Sequence, residues 1–260
     1  MSRGAIFWGL VLIVLGSLFL LDNLGIIAVN VWQVIGPVFL ILFGIWVLLG
    51  PVMGSAKVEK AVIPINDASS ARVEINYGAG RLKIGSGAGI INLLEGEFGG
   101  GVEKYIHQQG GRLEGRLSLP MQNWPFMWQP GHFDWNVRFN NQIPLLMVLN
   151  VGAAESILDF GDLIVNELVL KTGASSTEIT LPAHAGISKC SISAGAAGVN
   201  VRVPQGVAVR INASVGLGAI NVDQSRFPRS NGEYRSADFD VAPNKIDIIV
   251  ETGLGAVDIR

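Results

Sequence analysis

Cysteine is almost absent from this chain, histidine is scarce, and charge is sparse and nearly balanced. Its 260 residues include 1 cysteine and 3 histidines, and only 15% are charged. One cysteine rules out an intrachain disulfide framework; Cys190 lies in an alternating apolar stretch and reads as a small core residue. Lysine and arginine number 19 against 21 acidic residues, so the basic footprint of a nucleic-acid binder is missing and nucleic acid is disfavoured as a partner. At 49% hydrophobic, the chain is also too apolar to be disordered.

Catalytic chemistry is equally hard to find. His107, His132 and His184 are isolated, and none lies at metal-ligand spacing to another histidine or to Cys190. The GAG and GLG tripeptides are followed by strand-like alternation and not by G-K-[ST] or a helix start, so the elements that hold a phosphate are missing. Lys171-Thr172-Gly173 matches a tripeptide of penicillin-binding enzymes, yet no Ser-x-x-Lys supplies a nucleophile. Glu178, Asp223, Glu251 and Asp258 fall at outward positions of the alternation or in turns, as expected of a solvated sheet face. The expectation is a non-enzymatic protein with no catalytic, cofactor or metal residues.

What the sequence does contain is sharply divided. Met1–Gly54 holds two charged residues, Arg3 and Asp22, and all the others follow. Within it, residues 5–21 and 31–50 are uncharged apolar runs, the second long enough for about 30 Å of helix and the first somewhat shorter. A cleaved signal peptide is the alternative for the first run, but no small-x-small site follows Leu21, and Asp22–Asn30 leads directly into the second. Residues 1–54 therefore read as a transmembrane helical hairpin in the lipid bilayer, with Trp8, Trp32 and Trp46 near the span ends. Arg3, Lys57 and Lys60 flank the spans while the connector has no lysine or arginine, which places the termini and residues 55–260 on the cytoplasmic side.

Residues 55–260 carry a repeat. Around Gly78, Gly87, Gly152, Gly173, Gly195, Gly216 and Gly253, apolar residues tend to fall five and three before the glycine and four and six after it. The clearest copies are Ile211 to Val222 and Ile248 to Ile259. Alternation on both sides of glycine predicts strand, turn, strand, with the glycines supplying φ values that branched residues avoid. The spacings 152 to 173, 173 to 195 and 195 to 216 are 21, 22 and 21 residues, close to one coil of a β-solenoid. A β-sandwich is the alternative architecture. Pro182 and Pro204 each close a copy.

The repeat breaks between residues 94 and 146, where an aromatic-rich insertion at about 120–140 includes Trp124, Phe126, Trp128, Phe133, Trp135 and Phe139. One reading is an aromatic plug capping an end of the stack. The other is a loop that contacts a partner or the membrane through Trp124, Phe126, Trp128, Phe133 and Trp135.

The runs RGAIFWGLVLIVLGSLFLLDNLGII and VWQVIGPVFLILFGIWVLLG resemble the hairpin membrane domain of LiaF-like bacterial envelope proteins. WNVRFNNQIPLLMVLNVGAAESILDF, TGASSTEITLP, AGAAGVNVRVP and IDIIVETGLGAVDIR are similar to the toast-rack β domain often attached to it. The resemblance implies a bacterial inner-membrane protein of the cell-wall-active antibiotic response, whose best-known relatives restrain a sensor histidine kinase. It offers no catalytic residues. The first functional expectation is thus an interaction protein with a membrane-protein partner. The second is a self-assembling, homo-oligomeric or adhesin-like module facing outward.

Overall fold

Apolar residues at every second position make the strands, and a change in phase bends them. In a computed structural model, which describes residues 58–120, 133–230 and 232–260 together with Ile13, Gly16, Ser17, Pro37 and Leu40, strand β7 (Leu145–Asp159) shows the rule. Leu145, Met147, Leu149 and Val151 are buried, then Ala154, Ser156 and Leu158. The buried set passes from odd to even positions across Gly152 and Ala153, both exposed. A straight strand cannot change face this way, so β7 turns a corner at the glycine and buries both arms in one continuous core.

Five further strands repeat the corner: β2 (Ser70–Ser86), β8 (Val165–Thr180), β9 (Ile187–Arg202), β10 (Ala208–Val222) and β13 (Lys245–Ile259). They pair in parallel in the order β2, β7, β8, β9, β13, β10. Equivalent residues stack, as in Leu149 on Leu170 and Cys190 on Ile248. Burying each Leu, Ile or Val contributes about 1.5–3 kcal/mol, the main driving force of such a stack. Parallel, in-register rungs set the sandwich alternative aside.

Two features differ from the sequence expectation. The stack does not follow chain order, because β13 lies between β9 and β10, so Gly216 stacks on Gly253 and not on Gly195. Gly152, Gly173, Gly195, Gly216 and Gly253, moreover, are required by space and not by φ, whereas a Cβ on Gly78 would meet only Leu119 Cδ1 at 3.5 Å. None of Gly78, Gly152, Gly173, Gly195, Gly216 or Gly253 has positive φ, but the neighbouring rung's carbonyl oxygen stands 3.1 Å from the Cβ position at Gly173 and 2.9 Å from that at Gly216. Gly87 is off this column, at φ 111 just beyond the end of β2, where its N–H donates to the Phe139 carbonyl.

The two arms of β2 are capped separately. Its first arm pairs with β5 (Arg112–Ser118), which pairs with β4 (Glu103–Gln109). Its second pairs with β6 (Trp135–Phe139), followed by β3 (Asn92–Gly99) and β1 (Val58–Pro64). At the opposite end, β12 (Glu233–Arg235) pairs with Arg210 and Ile211 of β10, and β11 (Arg229–Ser230) pairs with β12. The two expected membrane runs lie almost wholly outside the described residues. The described positions within them are helical, and Ser17 donates its hydroxyl to the Ile13 carbonyl at 2.8 Å. Among the described residues, no helix is long and apolar enough to cross a membrane.

Candidate functional site

The aromatic insertion is rooted at the corner of β2. Ser118, which ends β5, pairs with Asn76, and Trp135, which begins β6, pairs with Leu82, so residues 119–134 connect the caps of the two arms. Alternation in WNVRF turns Trp135, Val137 and Phe139 inward, and all three are buried. Trp135 is 1% exposed; its Nε1–H donates to the Gly99 carbonyl at 3.2 Å, and its ring meets Phe98 edge-on at 4.9 Å and Tyr77 at 5.3 Å. Trp135 is therefore core, which corrects its reading as a contact residue. A tryptophan with its N–H satisfied is well suited to sealing the end of a stack.

Phe133 is half-buried, its carbonyl accepts the Tyr77 hydroxyl, and its ring occupies the space a side chain on Gly100 would need. Burial, reinforced by the nearby negative charge of Asp134, holds the Tyr77 phenol well above its ordinary range and hence neutral. These contacts hold Phe133 against the core just before β6. Trp124, Phe126 and Trp128 lie outside the described residues. The first residue of β1, Val58, pairs with Gly99, whose N–H donates to the Asp134 carbonyl at 3.0 Å. Asp134, where the insertion rejoins the sheet, is thus one strand removed from the start of β1. Sequence reading gave no signal for the Tyr77–Phe133 link, since it depends on pairing across 56 residues.

An open groove of about 770 Å³ runs along the glycine column, floored by Gly152, Gly173, Gly195 and Gly253 and edged by Asn150, Lys171, Ser193 and Glu251. Missing side chains at the corner create it. It contains no histidine or cysteine. Among the described residues no group of three His, Cys, Asp or Glu side chains is placed to hold a metal. Thr172, in the Lys-Thr-Gly tripeptide, is buried and shares a hydrogen bond with the Ser175 hydroxyl at 2.5 Å, a packing role. Burial pushes the Cys190 thiol up to about 12, which keeps it protonated and inert.

The corner column, parallel pairing and two-armed cap define a rack of bent β-strands joined to an apolar N-terminal segment. Residues 52–202 match the family model for the N-terminal domain of toast_rack, and residues 6–48 match the LiaI-LiaF-like transmembrane region. The chain belongs to the toast-rack family and is a LiaF-like, membrane-anchored protein. Neither matched family is a family of enzymes. No curated protein matches the sequence. Among solved structures, a candidate cell adhesion protein from Clostridium sporogenes shares the fold with a TM-score of 0.72 and 22% identity, over 79% of this chain and 99% of that one. A candidate adhesin from Bacteroides fragilis, at 8% identity over 79% and 98% of the two chains, has a TM-score of 0.16, too low to carry an argument.

Proposed function

We propose that this protein is a non-enzymatic regulator or scaffold of the bacterial cell-envelope stress response, acting on a membrane-protein partner such as a sensor histidine kinase. In this reading it is a multi-pass inner-membrane protein: the hairpin touches the partner within the bilayer, and the β rack faces the cytoplasm. The observation that carries it is the pairing of a LiaI-LiaF-like transmembrane region at residues 6–48 with a toast-rack domain at residues 52–202. The flanking Arg3, Lys57 and Lys60 supply the orientation.

Affinity capture from solubilised membranes tests the partner. Replacing residues 1–50 with an unrelated hairpin should abolish recovery of a membrane protein, and an unchanged set of partners would refute the reading. Protease treatment of right-side-out and inverted vesicles tests the orientation, with cleavage of the β domain expected only in inverted ones. Cleavage only in right-side-out vesicles would favour the second reading, an outward-facing adhesin-like module, which the fold shared with the Clostridium sporogenes protein also suits.

A further inference from the structure

The last rung of the rack ends in an unprotected sheet edge. The first arm of β10 is covered by β12, but among the described residues nothing pairs with the outer side of its second arm, Leu217–Val222. The arm has the composition of an interior rung. Ile220 and Val222 correspond to Val257 and Ile259, which are 0% and 1% exposed one rung inward, yet both are only half-buried. Leu217 is 72% exposed.

The other free edges carry the residues that discourage strand addition. β1 holds Glu59, Lys60 and Pro64; β4 holds Glu103, Lys104 and His107; β11 is two residues long and includes Arg229. Between Leu217 and Val222 there is no charge, proline or register shift. A neutral strand of this kind is matched by a strand equally free of charge. Pairing with β1 would instead bring Glu59 and Lys60 against an apolar arm and confront it with a proline that has no N–H to donate.

We infer that the second arm of β10 pairs antiparallel with the same arm of a second copy of this chain. Because side chains alternate, a two-fold axis at Ile220 keeps the core faces continuous: Ile220 opposes Ile220 of the partner and Val222 opposes Gly218. Two racks then share one sheet and one apolar layer. A two-fold pairing closes this edge on both copies, so the contact does not propagate into a filament.

Sizing with light scattering on the full-length chain in detergent tests this. The unaltered protein should have twice the protomer mass, and Asn221→Lys should halve it. Asn221 faces outward and donates to Asp258 at 3.0 Å, so a lysine there meets a carboxylate within its own chain and should leave tryptophan fluorescence unchanged. As an independent readout, Ile220→Cys in a Cys190→Ser background should form a disulfide-linked dimer on mild oxidation, because directly opposed residues bring their Cβ atoms to about 5 Å. A monomeric unaltered chain overturns the inference. So does a dimer that survives Asn221→Lys, or one in which Ile220→Cys cross-links only to Val62→Cys on the β1 edge.

Discussion

The carbonyl oxygen of Gly78 occupies the position that a Cβ on Gly152 would need. The contact is backbone against side chain, so no rotamer change relieves it. Gly152→Ala must displace a rung at the corner, at a cost of about 2–3 kcal/mol. Gly198 supplies the control: it is exposed, in a strand, without positive φ and with nothing within 4 Å of its Cβ position. Gly198→Ala should be neutral or stabilise by about 0.5 kcal/mol by restricting the unfolded chain. Denaturant unfolding of both variants should separate them clearly, and equal midpoints would show that the column is not sterically required.

This pair also marks how far the sequence could be read. Spacing revealed the corners, since the offsets of five, three, four and six encode the change of face across each glycine. It did not reveal why glycine is needed, because the obstructing atom belongs to a rung 21 or more residues away. The interposition of β13 was hidden for a related reason: Ile211 to Val222 and Ile248 to Ile259 carry the same pattern, so either could stack on β9. The available signal was the interval of 37 residues from Gly216 to Gly253. Its extra length holds β11 and β12, of which β12 pairs with the outer side of the first arm of β10 and leaves the inner side for β13. The burial of Trp135 was legible in the alternation of WNVRF, and grouping it with Trp124, Phe126 and Trp128 as a single aromatic feature concealed that phase.

Trp135→Phe should keep the apolar ring in the cap but leave the Gly99 carbonyl without its indole donor. Loss of one buried hydrogen bond costs about 1–2 kcal/mol, whereas Trp135→Ala, which also opens a cavity between Phe98 and Tyr77, should cost about 3–5 kcal/mol. Thermal unfolding should give that order. Similar losses for the two variants would mean that the hydrogen bond, and not the ring, holds the cap.

With a thiol pKa of about 12, the fraction of Cys190 present as thiolate at pH 8 is on the order of one in 10⁴, and the side chain is also sealed from solvent. A thiol reagent should therefore label the folded protein only as fast as it unfolds, and labelling should become rapid in denaturant. Rapid labelling under native conditions would contradict the packing of β9.

Glu95 accepts hydrogen bonds from the Gly89 N–H at 2.8 Å and from Asn92 at 3.0 Å, and these, more than Arg138, hold its carboxyl below the ordinary 4.5. A lowered folded-state value favours the native state above the unfolded value, and that contribution fades as pH falls through the lowered one. The turn between β2 and β3 should consequently loosen as pH falls below about 4.5. Hydrogen exchange at Gly89 should report it, and Glu95→Gln should flatten that pH response. A response unchanged in Glu95→Gln would assign it to another carboxylate.

Removing the last strand of an ordinary solenoid frays only its end, because each rung depends on its neighbours. Here the last strand in sequence is an inner rung. Truncation after Asn244 deletes β13, exposing the faces of β9 and β10 that it joins and removing the Arg210–Asp247 ion pair. β10 cannot close the gap without carrying β11 and β12 with it, so residues 208–235 should become sensitive to protease while residues 58–118 and 135–202 stay resistant. A truncated protein that resists cleavage at both would mean that β10 re-pairs directly with β9, the order that the regular spacing of 21 residues from Gly195 to Gly216 had suggested.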